Sequence, residues 1–250
     1  MEHMLRSRLA GLLWLVCLCA GRSEADVVIL GTRVIYPAAQ NEVSVQLSNQ
    51  GERPALVQLW IEEDGVITTP SETKAPFIVS PPLARMEAHK GQVVRVLHRP
   101  AALREDRETL FWFNMLEVPP KPATAAEQNL MQFAVKTRIK LIYRPEGLPG
   151  DPAEAPGELS WALASDEHAR PTLQVRNPTP YYVNFASIGL QLGEGEVLQR
   201  EEGGGKVAPG GSESFAFPSL PKNGDGELKV AFTALSDMGA PISLTRPVAR

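Results

Sequence analysis

Short runs rich in β-branched and aromatic residues, separated by turn-forming residues, recur along most of the chain. This rhythm constrains the fold more than any single motif does. In the first half the runs are Val27 to Leu30, Arg33 to Tyr36, Val43 to Leu47, Ala55 to Ile61, Phe77 to Val79, Val93 to Leu97 and Leu110 to Leu116. Asn49-Gln50-Gly51, Asp64-Gly65 and Lys90-Gly91 supply turn chemistry between them. Within Glu42 to Ser48 the aliphatics Val43, Val45 and Leu47 alternate with polar residues, so they share one face of a strand. Strands spaced in this way over roughly 100 residues predict a sandwich of immunoglobulin-like type, with one face of each sheet on a core and one in water.

The rhythm breaks at Pro145 to Pro156, where Pro149, Gly150 and Pro152 intervene. It resumes with Leu159 to Leu163, Thr172 to Val175, Tyr182 to Phe185, Ser187 to Leu192, Ser214 to Phe217, Leu228 to Leu235 and Ile242 to Leu244. The sequence therefore predicts an all-β chain of two sandwiches, residues 26–145 and 146–250, joined at the Pro-rich break. Gly203-Gly204-Gly205 followed by Lys206 lacks the Ser or Thr of a phosphate-cradling loop, and a surface hairpin is the expectation there.

Residues 1–25 have the composition of a cleavable export signal. Arg6 and Arg8 precede an apolar run from Leu9 to Ala20, and Ser23-Glu24-Ala25 offers small residues where a signal peptidase reads. The apolar run falls short of the roughly 20 residues a membrane helix needs, so an exported, not membrane-embedded product beginning at Asp26 is expected. Both cysteines, Cys17 and Cys19, lie inside the signal, leaving a mature chain without disulfide or thiol chemistry. Loss of Arg6, Arg8, Arg22, Glu2 and Glu24 takes the formal net charge from −4 to −5. That balance argues against a nucleic-acid partner.

Between Leu130 and Pro145 the sequence is LMQFAVKTRIKLIYRP. Met131, Phe133, Val135 and Thr137 fall on one face of an extended segment, and Arg138 and Lys140 fall on the other. An apolar row with a cationic end could receive another chain. An ordinary half-buried strand with solvated charges has the same pattern.

Catalytic signatures are missing. His3 belongs to the signal, and His89, His98 and His168 stand apart from one another, without metal-ligand spacing. Met86, Met115, Met131 and Met238 are scattered, against a copper-carrying module. No nucleophile elbow occurs. The acidic pairs Glu62-Glu63 and Glu201-Glu202 fall at strand ends or turns, where solvated charge is expected. The reading calls for binding rather than catalysis, with no cofactor and no metal.

Five segments then carry a resemblance. Thr32-Arg33-Val34-Ile35-Tyr36-Pro37, Asp106 to Asn114, Val118-Pro119-Pro120, Ile139 to Pro145 and Asn177 to Tyr182 are similar, in order, to the signature segments of the PapD-like periplasmic pilus chaperones of the chaperone-usher pathway. The resemblance implies two immunoglobulin-like β-sandwich domains arranged as a boomerang with an interdomain cleft. It implies a periplasmic chaperone that binds, folds and caps pilus (fimbrial) subunits by donor-strand complementation and delivers them to an outer-membrane usher.

Residue roles follow only from that resemblance. Arg33 and Lys140 match the pair that holds the C-terminal carboxylate of a subunit. Met131, Phe133 and Val135 match the donated strand, whose side chains fill the groove of an incomplete sandwich. Glu108, Arg144 and Asp237 match a salt-bridge network between the domains. The segment Lys121 to Asn129 is fairly short, as in the short-loop subclass that serves rod-like pili. An unpaired apolar edge also invites self-pairing, so a self-capping dimer of the free form is an expectation. Phe111, Trp112 and Phe113, and the turn from Asn177 to Tyr182, read as packing. The rival reading is a secreted two-domain β-sandwich with a structural or adhesive role.

Overall fold

The computed structural model describes residues 26–118, 133–165, 170–199, 204–220 and 226–249. The expected signal segment, the stretch from Lys121 to Asn129, Met131 and His168 lie outside the described residues. Within them, the first half forms strands β1 (Val27–Ile29), β2 (Arg33–Pro37), β3 (Glu42–Asn49), β4 (Ala55–Glu63), β5 (Phe77–Ser80), β6 (Leu83–Met86), β7 (Gly91–His98), β8 (Thr109–Val118) and β9 (Val135–Arg144). A 3-10 turn at Ala155–Glu158 follows. The second half forms β10 (Ser160–Ser165), β11 (Pro171–Arg176), β12 (Val183–Leu192), β13 (Leu198–Gln199), β14 (Gly205–Val207), β15 (Ser212–Ala216), β16 (Leu228–Leu235) and β17 (Pro241–Pro247).

Four sheets result. In the first half, β1-β3-β7-β5 faces β2-β9-β8-β4-β6; in the second, β10-β11-β15 faces β13-β12-β16-β17, with β14 added against β12. The two sandwiches of the expected fold are therefore present, each around its own core. Alternation does the sorting: Val45 and Leu47 of β3, Val57, Leu59 and Ile61 of β4, and Phe111, Phe113 and Met115 of β8 are buried together. Fully burying such side chains contributes roughly 1.5–3 kcal/mol each. In the second half Trp161, Phe185 and Phe232 make an aromatic centre, with ring centroids 5.0–5.7 Å apart.

Two sequence expectations are corrected here. Tyr182 to Phe185 and Ser187 to Leu192 are not separate strands but one strand, β12, whose register against β16 shifts between Phe185 and Ser187. Gly205 and Lys206, expected in a surface hairpin, lie in strand β14, paired to β12. Gly205 is required there: its φ is +143°, and a Cβ would come 2.8 Å from the ring of Phe215.

Asn177, fully buried, organises the turn between β11 and β12. Its amide donates to the carbonyl oxygens of Tyr181 and Ala208 at 2.7 and 3.2 Å, and its oxygen accepts from the backbone N–H of Thr179 at 3.0 Å. A satisfied buried amide of this kind fixes a loop. This one aims the backbone N–H of Tyr182 toward the first sandwich.

Candidate functional site

β9 pairs with β8 along nearly its whole length, Val135 to Tyr143. Its other edge is covered by β2 only from Lys140 to Arg144, in parallel register. Among the described residues, no strand pairs with the β2-side edge of Val135 to Ile139. An open edge of this length presents unpaired backbone donors and acceptors, ready for another strand. Next to it Phe133 is 70% exposed and Val135 39%, so the apolar row enters solvent where the edge is open. Met131, the third residue of that row, lies outside the described residues.

The open stretch ends at two cations. Arg33 on β2 and Lys140 on β9 are direct partners in the parallel register, on the face of the sheet turned away from the core. The row continues through Trp112 on β8 to Glu62 on β4, each directly opposite its neighbour. Arg33 Nη1 donates to the carbonyl of Leu235 at 3.3 Å, and Lys140 Nζ donates to Asn184 Oδ1 at 2.5 Å. Both acceptors belong to the second sandwich. The crevice between the halves is lined by Arg33, Tyr182, Asn184, Leu235, Asp237 and Met238, among others.

Asp237 and Asp151 line this crevice, yet two features leave it room for a further acceptor. Arg33 Nε is buried without a hydrogen-bond partner among the described residues. Burial, together with the positive charges of Arg33 and Lys206, pushes the Lys140 ammonium down to about 8, against a smaller opposing pull from Asp64. A half-buried cation that makes no ion pair among the described residues and a guanidinium nitrogen without an acceptor suit a small anion, and a carboxylate can accept from both groups at once.

A second cluster joins the halves beside the crevice. Arg144 at the end of β9 donates from Nε to Glu108 Oε1 at 2.6 Å and from its two terminal nitrogens to Asp237 at 2.7 and 2.9 Å. Glu108 Oε2 accepts from the Tyr182 N–H at 2.6 Å. Burial pushes the Glu108 carboxyl above its ordinary range despite these contacts. Burial also opposes the charge on Arg144, but its hydrogen bonds to Asp237 and Glu108 outweigh that and raise its pKa. Gly239 allows this geometry, since its φ is +79° and a Cβ would come 2.9 Å from Thr32 Oγ1.

Glu62 overturns an expectation. Instead of lying solvated at a strand end, it is fully buried. It accepts from Trp60 Nε1 at 3.0 Å, from the Thr68 N–H at 3.2 Å and from Lys136 at 3.2 Å, with Arg138 at 3.5 Å. Burial raises its pKa, but these hydrogen bonds outweigh that and the net shift is downward. Its partners come from other positions of β4, the following loop and β9, so nothing in the local Glu62-Glu63 dipeptide signals them. Trp112, expected as packing, instead holds Arg138 over its ring at 4.2 Å. Asn184 was not anticipated as a site residue, and only the pairing of the two halves brings it to Lys140.

Comparison with known proteins then decides the family. The family described as Pili and flagellar-assembly chaperone, PapD N-terminal domain, matches residues 26–149, and Pili assembly chaperone PapD, C-terminal domain, matches residues 154–246. The chain belongs to the PapD-like pilus assembly chaperones. Among relatives of this chaperone, the probable fimbrial chaperone YadV of Escherichia coli K12 is 41% identical over 92% of this chain and 94% of its own. The chaperone protein FimB/FhaD of Bordetella pertussis is 37% identical over 88% and 87%. Among solved structures, the YadV chaperone superposes with a TM-score of 0.75 at 38% identity, covering 89% of this chain and all of the other. A chain from the Salmonella enterica complex of SafA pilin with the SafB chaperone gives 0.71 at 26% identity, covering 91% and 98%. The chaperone role stands, and the structural or adhesive alternative is set aside. Among the described residues no helix is long and apolar enough to cross a membrane, and no group of three or more His, Cys, Asp or Glu could hold a metal ion.

Proposed function

We propose that this chaperone captures pilus subunits in the periplasm by lending them β9 as a missing strand, with Arg33 and Lys140 holding the subunit's C-terminal carboxylate. The observation that carries this reading is the half-open edge of β9, which ends at two directly paired cations. A guest strand lying along Val135 to Ile139 can reach those cations with its C-terminus only by running in the same direction as β9. Parallel pairing therefore follows from the geometry.

Phe133 and Val135, with Met131 ahead of them, then enter the groove of the guest. Burial of each large side chain contributes roughly 1.5–3 kcal/mol, and each charge-assisted hydrogen bond to the carboxylate contributes a similar amount. The cations have the additional task of setting register. A slip of one residue turns the apolar row away from the groove, and a fixed end contact penalises that slip.

The reading extends to six further assignments. Residues 1–25 are an export signal, and residues 26–145 and 146–250 are the two domains. The Glu108–Arg144–Asp237 network holds their mutual orientation. The free form protects its apolar row by capping itself, and the loaded complex passes to an outer-membrane usher. The chain serves rod-like fibres of the short-loop kind. The deciding experiment is co-expression with pilus subunits encoded beside this gene, followed by isolation from the periplasm. A one-to-one complex is expected, and recovery of the chaperone alone while the subunit accumulates as aggregate contradicts the reading.

A further inference from the structure

Two cross-strand pairs, one from each sandwich, meet beside the crevice. On the first, Lys140 of β9 lies directly opposite Trp112 of β8. On the second, Asn184 of β12 lies directly opposite Lys206 of β14. Lys140 reaches across to Asn184. Lys206 reaches back, placing Nζ 2.6 Å from Asp64 Oδ2 and 5.8 Å from the centre of the Trp112 ring. Trp112 Nε1 donates to the other oxygen of Asp64 at 2.8 Å. The four side chains of the two pairs thus interlock, with Asp64, just after β4, as the closing member.

We propose that the Asp64–Lys206 pair is a positioning device for the carboxylate site, clamping β14 onto Trp112 so that Asn184 stays on Lys140 and aims its ammonium into the crevice. The inference rests on the carboxylate reading given above and adds residues to it. The role assigned to Asp64 and Lys206 requires no contact with the guest. As surface charges taken singly they would matter little, because exposed ion pairs contribute about 0–1 kcal/mol. Their leverage comes from place: β14 is a three-residue strand beside Asn184, which accepts a hydrogen bond from Lys140 across the crevice. The glycine at 205 lets β14 approach Phe215 and Phe185 closely, so β14 is seated by packing on one side and by the clamp on the other.

The charges around Lys140 supply a second readout. Facing it are Arg33 from β2, Trp112 from β8, Asn184 from β12, Lys206 from β14 and Asp64 from the loop after β4. Glu62 lies one position further along the row and is committed to Lys136 and Arg138. Lys206→Met and Asp64→Asn break the same contact, yet they change the charge near Lys140 in opposite senses. A purely structural role predicts the same effect from both.

The test uses the full mature chaperone and a synthetic peptide of the C-terminal segment of the pilus subunit encoded beside it, with a free acid or an amide at its end. The wild type is expected to prefer the free acid by about tenfold or more, the worth of one charge-assisted hydrogen bond. Lys206→Met and Asp64→Asn each reduce that preference several-fold while binding the amide as the wild type does. Lys206→Arg restores it. The pH at which free-acid binding is half lost moves up in Lys206→Met and down in Asp64→Asn. An unchanged preference in both variants, or equal losses for acid and amide, overturns the positioning role while leaving the carboxylate reading intact. Absence of any acid preference in the wild type overturns the carboxylate reading itself, and this inference with it.

Discussion

Arg33 and Lys140 stand side by side as register partners of two parallel strands, and each hydrogen-bonds to a different strand of the second sandwich, at Leu235 and Asn184. The cationic pair is thus built by the first half and held in its crevice by the second. Among the described residues neither group is matched by a carboxylate within ion-pair distance, although Asp237 acts on Arg33 from further away. Replacing either residue with alanine is expected to lower subunit capture by at least about tenfold, the scale of one charge-assisted hydrogen bond, with little change in melting temperature. Pull-down of a tagged subunit checks the first part, and a thermal melt checks the second.

The titration of Lys140 makes capture pH-dependent. Its folded pKa is depressed to about 8, first by burial and then by Arg33 and Lys206. Only the protonated form can hold a carboxylate, so affinity should be level below that pH and decline as pH rises above it. Stability runs the other way: the unfolded lysine keeps its proton to higher pH, so folding becomes more favourable as the folded group deprotonates between about 8 and the ordinary lysine range. Affinity measured across this window should fall in the wild type, and the residual affinity of Lys140→Ala should stay flat there.

Phe133 is 70% exposed in the free chain, so a charge there costs the fold nothing. In a guest groove the same charge would be desolvated without a partner. Phe133→Asp should therefore abolish complex formation while leaving the chaperone soluble and its melting curve unchanged. Normal recovery of a complex with that variant counts against strand donation.

Glu108 differs in kind, because it is buried and serves Arg144 and the Tyr182 N–H together. Removing one member of a buried charge cluster strands the others, at about 3 kcal/mol. Glu108→Ala should show that loss in a denaturant titration. It should also loosen the second sandwich against the first, read as faster hydrogen exchange at Tyr182. An unchanged titration demotes the cluster to a surface decoration.

Some of this was legible in the sequence and some was not. The strands β3, β4, β7, β8 and β16 announce themselves by alternation, because one face of each meets a core. β6, β13 and β14 do not: they are two to four residues long, and their strand character comes from a neighbour's edge rather than from their own pattern. Arg33 and Lys140 are 107 positions apart in the chain, and only the family segments placed them together. Glu62 misled because local context says solvated pair, whereas its partners come from β9 and the loop at Thr68. Asn184, Asp64 and Lys206 carry no sequence signal, since the contacts Lys140–Asn184 and Asp64–Lys206 exist only when the two sandwiches meet.

The central claim is that β9 completes a partner's sheet with the partner's end fixed at Arg33 and Lys140. Its most direct test is a crystal structure of the chaperone with a pilus subunit encoded beside it. The account predicts a guest strand paired in parallel along Val135 to Ile139 and a terminal carboxylate within hydrogen-bond distance of both Arg33 and Lys140. A guest bound elsewhere, or one paired antiparallel with its carboxylate remote from the crevice, contradicts it.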